Sequence, residues 1–189
     1  MRMMGKVGIM VAALCLLAAD KNEVNVGDKA PTFSSVDDQG QPWKSSDHVG
    51  KKVLVVYFYP ADFTRGCTSQ ACGFRDDMDK LSVKGVEVVG ISGDSAKTHE
   101  LFKKEHKLNF TLLADDKGEV AKKFGVPVGP GGKAKGKDEG KDIDVIRGVT
   151  AKRWTFVIGK DGKVAYKNDK VNAAEDSKKI LEVVEKLEK

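Results

Sequence analysis

Residues 53–60 read Val-Leu-Val-Val-Tyr-Phe-Tyr-Pro, a continuous apolar and aromatic run that ends in a proline. Strands that are covered on both faces of a sheet have such continuous runs, whereas half-exposed strands alternate apolar and polar residues. The run therefore predicts a central strand. Helical spacing follows from about Thr64, with Phe74, Met78 and Leu81 on one face.

On either side of this strand, the chain alternates predicted strands and helices. The spacing predicts an N-terminal hairpin at an edge (32–36 and 41–44), strands at 86–92, 110–113, 154–158 and 163–166, and helices at 95–107, 118–124 and from 172 onward. The last helix has Asn172 as its N-cap and buries Ile180, Val183, Val184 and Leu187. This order predicts an α/β, thioredoxin-like fold, a central mixed sheet flanked by helices with an N-terminal hairpin extension.

The segment 129–142 differs from the rest because it has five glycines, four lysines and no large apolar residue. Its composition predicts a mobile surface loop. Residues 131–137 match the start of a phosphate-binding loop, but Asp138 stands where Ser or Thr must bind magnesium. The sequence therefore argues against nucleotide binding.

The composition suits one domain, for which we predict residues 24–189. The chain has 189 residues, is 40% hydrophobic and carries a formal charge of +5. This length and apolar content allow one full core. The positive charge is spread along the chain rather than gathered in a stripe, so we expect no nucleic-acid partner.

The first 19 residues have the pattern of a signal peptide. Arg2 and Lys6 precede an uncharged run at 7–19, and charged residues resume at Asp20. The run is too short for a typical membrane-spanning helix, so a permanent anchor is the lesser alternative. Lipidation at Cys15 is disfavoured by the bulky Leu14 before it. We expect an exported protein, periplasmic or secreted, cleaved near Ala19.

Without the signal peptide, two cysteines remain, Cys67 and Cys72. Cys67 follows the end of the central strand and lies at the start of the next helix, where unpaired amides and the helix dipole stabilise a thiolate. The thiolate is the reactive form of cysteine. Thr64, three residues earlier, is close enough for its hydroxyl to bond the sulfur or an oxygen beside it. The sequence thus favours a reactive Cys67.

These residues resemble a known active-site segment. Residues 57–67 are similar to the peroxiredoxin motif P-x-x-x-T-x-x-C, with Pro60, Thr64 and Cys67 at the motif positions. Cys72, five residues later, resembles the resolving cysteine of the Q-type branch, also called bacterioferritin comigratory protein, of the AhpC/TSA family. The similarity extends over about residues 26–189. Arg65 departs from the family pattern, which usually has proline there.

The resemblance implies a thioredoxin-dependent peroxidase. Cys67 would attack hydrogen peroxide or an organic hydroperoxide, while Thr64, Arg153 and the Cys67 amide hold the peroxide and stabilise charge on the leaving oxygen. Pro60 would shape the pocket, and Gln70 would orient Arg153. Cys67 and Cys72 would then form the redox disulfide, and thioredoxin or a thioredoxin-like donor would reduce it. No cofactor or metal is implied.

Forming that disulfide requires a change of shape if both cysteines lie in one regular helix. A five-residue step separates the Cα atoms by roughly 8–9 Å, and a disulfide tolerates no more than about 7 Å. We therefore predict a folded dithiol form and a disulfide form in which the first turns of the helix unwind. A disulfide within one chain needs no second subunit, so we expect a monomer.

Three other readings remain open. The cysteine pair could be a structural staple, although the context of Pro60, Thr64 and Arg153 speaks against it. The protein could be a thiol-disulfide carrier or redox sensor, but carriers of the thioredoxin type have Cys-x-x-Cys. A non-catalytic binding module would leave the cysteine pair unexplained. His48, His99 and His106 are scattered and are expected at the surface, which disfavours a zinc site.

Overall fold

The central strand of the protein is β3 (Val53–Phe58), as the apolar run predicts. The structure is a computed structural model that describes residues 23–187, so the predicted signal peptide and Cys15 lie outside the described residues. The mixed sheet has seven strands in the order β2-β1-β5-β4-β3-β8-β9. β3, β4 and β5 are parallel, and β8 runs antiparallel to β3. This sheet, flanked by helices, confirms the predicted α/β class.

Apart from β6 and β7, the helices and strands follow the predicted order. The strands are β1 (Ser34–Asp37), β2 (Pro42–Lys44), β4 (Val86–Ser92), β5 (Thr111–Ala114), β6 (Val128–Asp138), β7 (Lys141–Ala151), β8 (Trp154–Ile158) and β9 (Val164–Asn168). The helices are α1 (Arg65–Val83), α2 (Ala96–His106), α3 (Glu119–Lys123) and α4 (Asp176–Leu187), and a 3-10 turn spans Ser45–Asp47. The N-terminal hairpin, β1 and β2, forms one edge of the sheet as expected.

Successive side chains of β3 point to opposite faces of the sheet, and each face has its own core. Leu54, Val56 and Phe58 pack on the side that carries Phe124 and Phe156. The other core contains Val55 and Tyr57 of β3 and Tyr59, which follows the strand. These side chains pack with residues of α1, α2 and α4, among them Cys67, Phe74, Phe102, Ile180 and Val184. Because both faces are covered, the strand has no polar position.

The final helix begins four residues later than predicted. Asn172 accepts a hydrogen bond from the amide of Ala174 (3.2 Å), but this closes a turn that precedes α4 rather than the helix itself. Ile180 and Val184 are buried and Val183 is half-buried, whereas Leu187 is 45% exposed. Leu187 lies in the last turn of the helix, beyond the edge of the core, so the prediction of its burial was wrong.

The predicted loop at 129–142 is instead part of a β-ribbon. β6 and β7 pair antiparallel from Val128–Ala151 to Asp138–Lys141 and form a two-stranded sheet of their own. The two-residue turn has Glu139 and Gly140 at positive φ, 49° and 79°, which matches the twist of such ribbons. Backbone hydrogen bonds between the two strands, and not burial of apolar side chains, stabilise this segment. The prediction of a mobile loop from its composition was therefore wrong.

Glycines let the ribbon pack closely against the end of β4 and the loop after β3. A Cβ atom on Gly93 would lie 2.1 Å from the carbonyl oxygen of Val149, and one on Gly136 would lie 3.0 Å from the ring of Phe63. Only glycine permits the first approach.

No helix within residues 23–187 is long and apolar enough to cross a membrane.

Candidate active site

Cys67 is the third residue of α1, and its side chain is 1% exposed. The first bond of the helix ladder joins the Thr68 amide to the Thr64 carbonyl (2.8 Å). The amides of Arg65, Gly66 and Cys67 therefore precede the ladder, as the first amides of every helix do. This end of the helix presents N–H donors and positive potential beside the sulfur.

Arg153 brings a permanent charge to the same sulfur. It lies directly before β8, which is the neighbour of β3 in the sheet. Its Nη2 donates to the Cys67 Sγ over 3.1 Å. Guanidinium stays protonated at all physiological pH values, so it favours negative charge on the sulfur. The predicted proximity of Arg153 to Cys67 is thus present in the structure.

Gln70 lies behind the arginine and connects it to a buried carboxylate. The Nη1 of Arg153 donates to the Gln70 Oε1. The Gln70 Nε2 donates in turn to the Asp176 Oδ2 (2.7 Å), which also accepts from the Thr155 hydroxyl (2.8 Å). Gln70 therefore contacts Arg153 as the sequence suggested, and Asp176 is an additional member of the group.

The loop between β3 and α1 holds Pro60 and Thr64. Pro60 is half-buried at the end of the strand. The Thr64 hydroxyl donates to the carbonyl of Ala61 (3.0 Å), so the bond that the structure gives it is within the loop and not with the sulfur. Phe63 has φ of 59°, a costly conformation for a residue with a side chain. Its ring packs edge-on against Phe102 at 5.2 Å.

A buried polar network fixes this loop, and the sequence prediction missed it. The Asp62 Oδ1 accepts from the Tyr59 hydroxyl (2.7 Å) and its Oδ2 lies 2.7 Å from the His99 Nδ1. The Asp62 amide donates to the Asp94 Oδ2 (2.9 Å). His99 is fully buried, so the prediction that it is a surface residue was wrong. It has a partner at each ring nitrogen, since its Nε2 lies 3.2 Å from the Leu113 carbonyl.

The electrostatics of His99 follow from these contacts. Burial alone would lower the pKa of His99, but the charge of Asp62 and the hydrogen bond to it outweigh burial and raise the pKa. Burial, with the nearby charge of Asp62, raises the pKa of Asp94. The network therefore links the protonation of His99 and Asp94 to the position of Asp62, in the loop two residues before Thr64.

Cys72 lies in the same helix as Cys67, which agrees with the predicted geometry of the dithiol form. Both thiols are free; Cys67 is buried and Cys72 is half-buried. α1 is continuous from Arg65 to Val83 and spans both residues. The structure thus brings Cys67, Arg153 and Gln70 together directly and places Cys72 on the next turns of the helix. Among residues 23–187 no cluster of three or more metal-binding side chains occurs.

The sequence of the chain matches a family model over residues 26–167, more than half its length, and that model describes the AhpC/TSA family. The chain belongs to the AhpC/TSA family. The Q-type resemblance is also supported, because many similar proteins are named peroxiredoxin Q or bcp. The match includes every residue of the site except Asp176.

Three relatives illustrate the similarity within the AhpC/TSA family. The chloroplastic peroxiredoxin Q of Sedum lineare is 44% identical over 142 residues, which are 75% of this chain and 67% of that protein. A bcp-type peroxiredoxin of Coxiella burnetii is also 44% identical over 142 residues, which are 86% of its length. The chain spans only 58% of the peroxiredoxin Q of Oryza sativa subsp. japonica.

Solved structures support the family fold. The peroxidoxin BcpB of Mycobacterium tuberculosis superposes with a TM-score of 0.72 at 30% identity, over 87% of this chain and 99% of that one. The bacterioferritin comigratory protein of Xanthomonas campestris gives a TM-score of 0.68 at 25% identity, over 83% of this chain and 92% of that one. The thioredoxin-like fold predicted from the strand order is confirmed.

Proposed function

We propose that the protein is a thiol peroxidase in which Cys67 reduces hydrogen peroxide and organic hydroperoxides. The observation that carries the proposal is the 3.1 Å contact between the Arg153 Nη2 and the Cys67 Sγ at the start of α1. A thiolate attacks peroxide, and this contact places a fixed positive charge at the sulfur. Membership of the AhpC/TSA family and relatives named peroxiredoxin support the same chemistry.

In the first step the sulfur forms a bond to one peroxide oxygen and the oxygen–oxygen bond breaks. Cys67 becomes a sulfenic acid, the peroxide is reduced by two electrons, and the departing oxygen takes a proton to leave as water or an alcohol. Negative charge builds up on that oxygen during cleavage. Arg153 and the Cys67 amide are the donors that we assign to it, and donors aimed in advance at such charge lower the barrier. The Thr64 hydroxyl would join them by turning its proton away from the Ala61 carbonyl, to which it donates in the dithiol form.

In the second step the Cys72 thiol attacks the sulfenic acid, forming the Cys67–Cys72 disulfide and releasing water. The continuous helix around both cysteines supports the expectation that this step needs unwinding, because a helical five-residue step is too long for a disulfide. The first turns of α1 would open between Gly66 and Gly73, where the absence of side chains lowers the cost of leaving the helix.

The cycle closes when an external dithiol reduces the disulfide. We propose thioredoxin or a thioredoxin-like protein as the donor, in agreement with the family, and a monomer as the acting species. Incubation of the oxidised chain with thioredoxin, thioredoxin reductase and NADPH tests the donor through NADPH consumption. Light scattering of the reduced and oxidised chain tests the monomer.

We propose further that residues 1–19 are a signal peptide and that the domain begins at about residue 24. The family match begins at residue 26, after the apolar run. The charge pattern of Arg2, Lys6 and the run at 7–19 supports export. Expression of the full chain in a bacterium, fractionation and mass measurement of the product decide the matter. An uncleaved chain in the cytosolic fraction would contradict the proposal.

Rapid mixing of the reduced chain with hydrogen peroxide tests the peroxidase. Trp154 follows Arg153 directly and serves as a fluorescence probe near the site. We expect a fast second-order signal that Cys67→Ser abolishes. Cys72→Ser should keep the first step and stop at the sulfenic acid. Reaction no faster than that of a free thiol would rule out the peroxidase and favour a thiol-disulfide carrier.

A further inference from the structure

Asp176 is a buried carboxylate that neither the family motif nor the sequence pattern identifies. It is the first residue of α4 and is 1% exposed. Its Oδ2 accepts hydrogen bonds from Gln70 and Thr155, while its Oδ1 has no hydrogen-bond partner within the described part of the chain. Burial raises the pKa of Asp176, and the bonds from Thr155 and Gln70 and the charge of Arg153 oppose that effect.

A buried carboxylate with one oxygen that accepts no hydrogen bond lowers the stability of a protein, because the desolvation of that oxygen is not compensated. Such groups are candidates for a functional role when they adjoin a reactive site. Asp176 fulfils this condition, since two hydrogen bonds separate it from Arg153 and a third reaches the sulfur of Cys67.

The contacts define what Asp176 does in the dithiol form. A carboxylate only accepts hydrogen bonds and a guanidinium only donates them. Gln70 lies between the two, so only one orientation of its amide satisfies both neighbours, with Nε2 toward Asp176 and Oε1 toward Arg153. Asp176 therefore fixes the amide, the amide fixes one arm of the guanidinium, and the other arm meets Cys67.

The same bond has a different effect on the second step. Gln70 lies between Cys67 and Cys72, within the part of α1 that must unwind for the disulfide to form. Unwinding would carry Gln70 away from α4 and break its bond to Asp176. The bond therefore stabilises the folded helix and opposes closure of the disulfide.

We infer that Asp176 is a positioning residue that speeds the attack of Cys67 on peroxide and slows the formation of the Cys67–Cys72 disulfide. The inference rests on the proposed peroxidase function and adds a residue of α4 to it. It predicts that loss of Asp176 changes the rate constants of the two steps in opposite directions. General loosening of the protein has no reason to do so.

The test compares Asp176→Ala with Asp176→Asn and a matched control in the full chain, with Cys15→Ser throughout so that only two thiols react. Stopped-flow fluorescence gives the rate constants of both steps. We expect Asp176→Ala to slow the first step about tenfold, the effect of about one hydrogen bond, and to speed the second severalfold. Asp176→Asn keeps an acceptor for Gln70 and should restore most of the first rate.

Ser177→Ala is the matched control. The Ser177 hydroxyl donates to the Asp77 Oδ2 (2.9 Å), so this bond also joins α4 to α1. Ser177 is the residue after Asp176, but its partner in α1 lies beyond Cys72 and outside the segment between the two cysteines. This variant should leave both rate constants unchanged. If it reproduces the effects of Asp176→Ala, loosening of the α1–α4 contact explains them and the inference fails.

A second readout does not depend on the fluorescence phases. Sulfenic acid that waits for Cys72 reacts with a second peroxide to give sulfinic acid and water. Faster closure in Asp176→Ala should therefore reduce the sulfinic fraction of Cys67 at high peroxide, measured by mass spectrometry. Should Asp176→Ala fail to fold, Asp176→Ser, whose hydroxyl is too short to reach Gln70, is expected to give the same pair of changes.

The outcomes separate the inference from the function. Wild-type reactivity no greater than a free thiol overturns the peroxidase. A fast wild type with unchanged Asp176 variants, or with both steps slowed together, leaves the peroxidase intact and overturns the role of Asp176. A fast wild type with opposite changes supports both.

Discussion

Arg153 is the residue whose geometry is most demanding, because one guanidinium serves both Cys67 and Gln70. Lysine keeps the charge but lacks the planar fork that reaches two partners at once. We predict that Arg153→Lys lowers the rate constant for peroxide about 100-fold, the usual effect of losing one donor to a developing oxyanion. Stopped-flow mixing with hydrogen peroxide measures it.

Arg65 provides the control for this prediction. It is an exposed cation on the first residue of α1, close to Cys67 along the chain, and it stands where the family usually has proline. Arg65→Ala removes one positive charge without removing a contact to the sulfur, whereas Arg153→Lys removes the fork and keeps the charge. Arg65→Ala should therefore keep most of the wild-type rate constant. A wild-type rate constant in Arg153→Lys would mean that the charge at residue 153, and not its fork, determines the rate.

Individual residues of the site differ in how far the sequence could identify them. Cys67 follows from the motif, Arg153 and Gln70 follow from the resemblance to the family, and the structure brings the three into contact. His99 and Asp176 were missed, although a signal existed for both. His99 lies three residues before the buried Phe102, and Asp176 lies four before Ile180, so each occupies the apolar face of its helix. Both were missed because a polar side chain on a helix is ordinarily assigned to the exposed face.

Helix α1 has to exist in two forms if the disulfide is to close. The structure describes the folded dithiol form, with Cys67 and Cys72 both free. We predict that oxidation makes residues 66–76 sensitive to protease while the reduced helix resists cleavage. Limited proteolysis followed by mass spectrometry locates the cuts, and the contrast between redox states should be at least severalfold.

Cys72→Ser separates unwinding from simple damage by peroxide. This variant still oxidises at Cys67 but has no partner for a disulfide, so its helix should stay protected after treatment. Equal cleavage of the reduced and oxidised wild type would show that α1 does not unwind, and the disulfide would then need another route.

The β6–β7 ribbon carries a local strain that a substitution can relieve. Glu139 adopts φ of 49° in the turn, and its exposed ion pair with Lys104 (3.2 Å) contributes little. Asparagine followed by glycine suits this turn best. We predict that Glu139→Asn raises the free energy of unfolding by about 0.5–1 kcal/mol, since asparagine tolerates the left-handed region at lower cost. Urea denaturation measures the change.

Lys104→Gln is the control, because it removes the ion pair and leaves the turn unchanged. It should alter the stability by a few tenths of a kcal/mol at most. A loss of stability in Glu139→Asn equal to that of Lys104→Gln would mean that the ion pair, and not the backbone, matters at this turn.

Throughout the chain, the elements that the sequence predicts well are those whose position is determined by burial. β4 and β8 have the predicted bounds because their apolar runs are covered on both faces. The ribbon and the start of α4 were predicted poorly because backbone pairing and a turn determine them, and neither leaves an apolar pattern. The buried Asp62–His99 pair joins the loop after β3 to α2, a tertiary contact that no local pattern encodes.

That pair gives the folded protein a dependence on pH. The pKa of His99 is raised above its ordinary value of 6.5, so the folded chain binds this proton more tightly than the unfolded chain. The stabilisation that protonated His99 contributes is complete below pH 6.5, and it is lost as the pH rises through the pKa of His99 in the folded chain. Asp94 and Asp176, whose pKa values are raised by burial, change stability in the same direction at lower pH.

We therefore predict that the free energy of unfolding of the reduced chain falls as the pH rises from 6 to 9, measured by urea denaturation at each pH. His99→Leu leaves the Asp62 carboxylate buried without its partner and should cost about 3 kcal/mol at pH 6. The gap between wild type and variant should narrow as the pH rises, because neutral His99 no longer compensates that charge. A gap that stays constant would mean that His99 contributes by packing alone, and the loop before Thr64 would then owe its position to Tyr59 and Asp94.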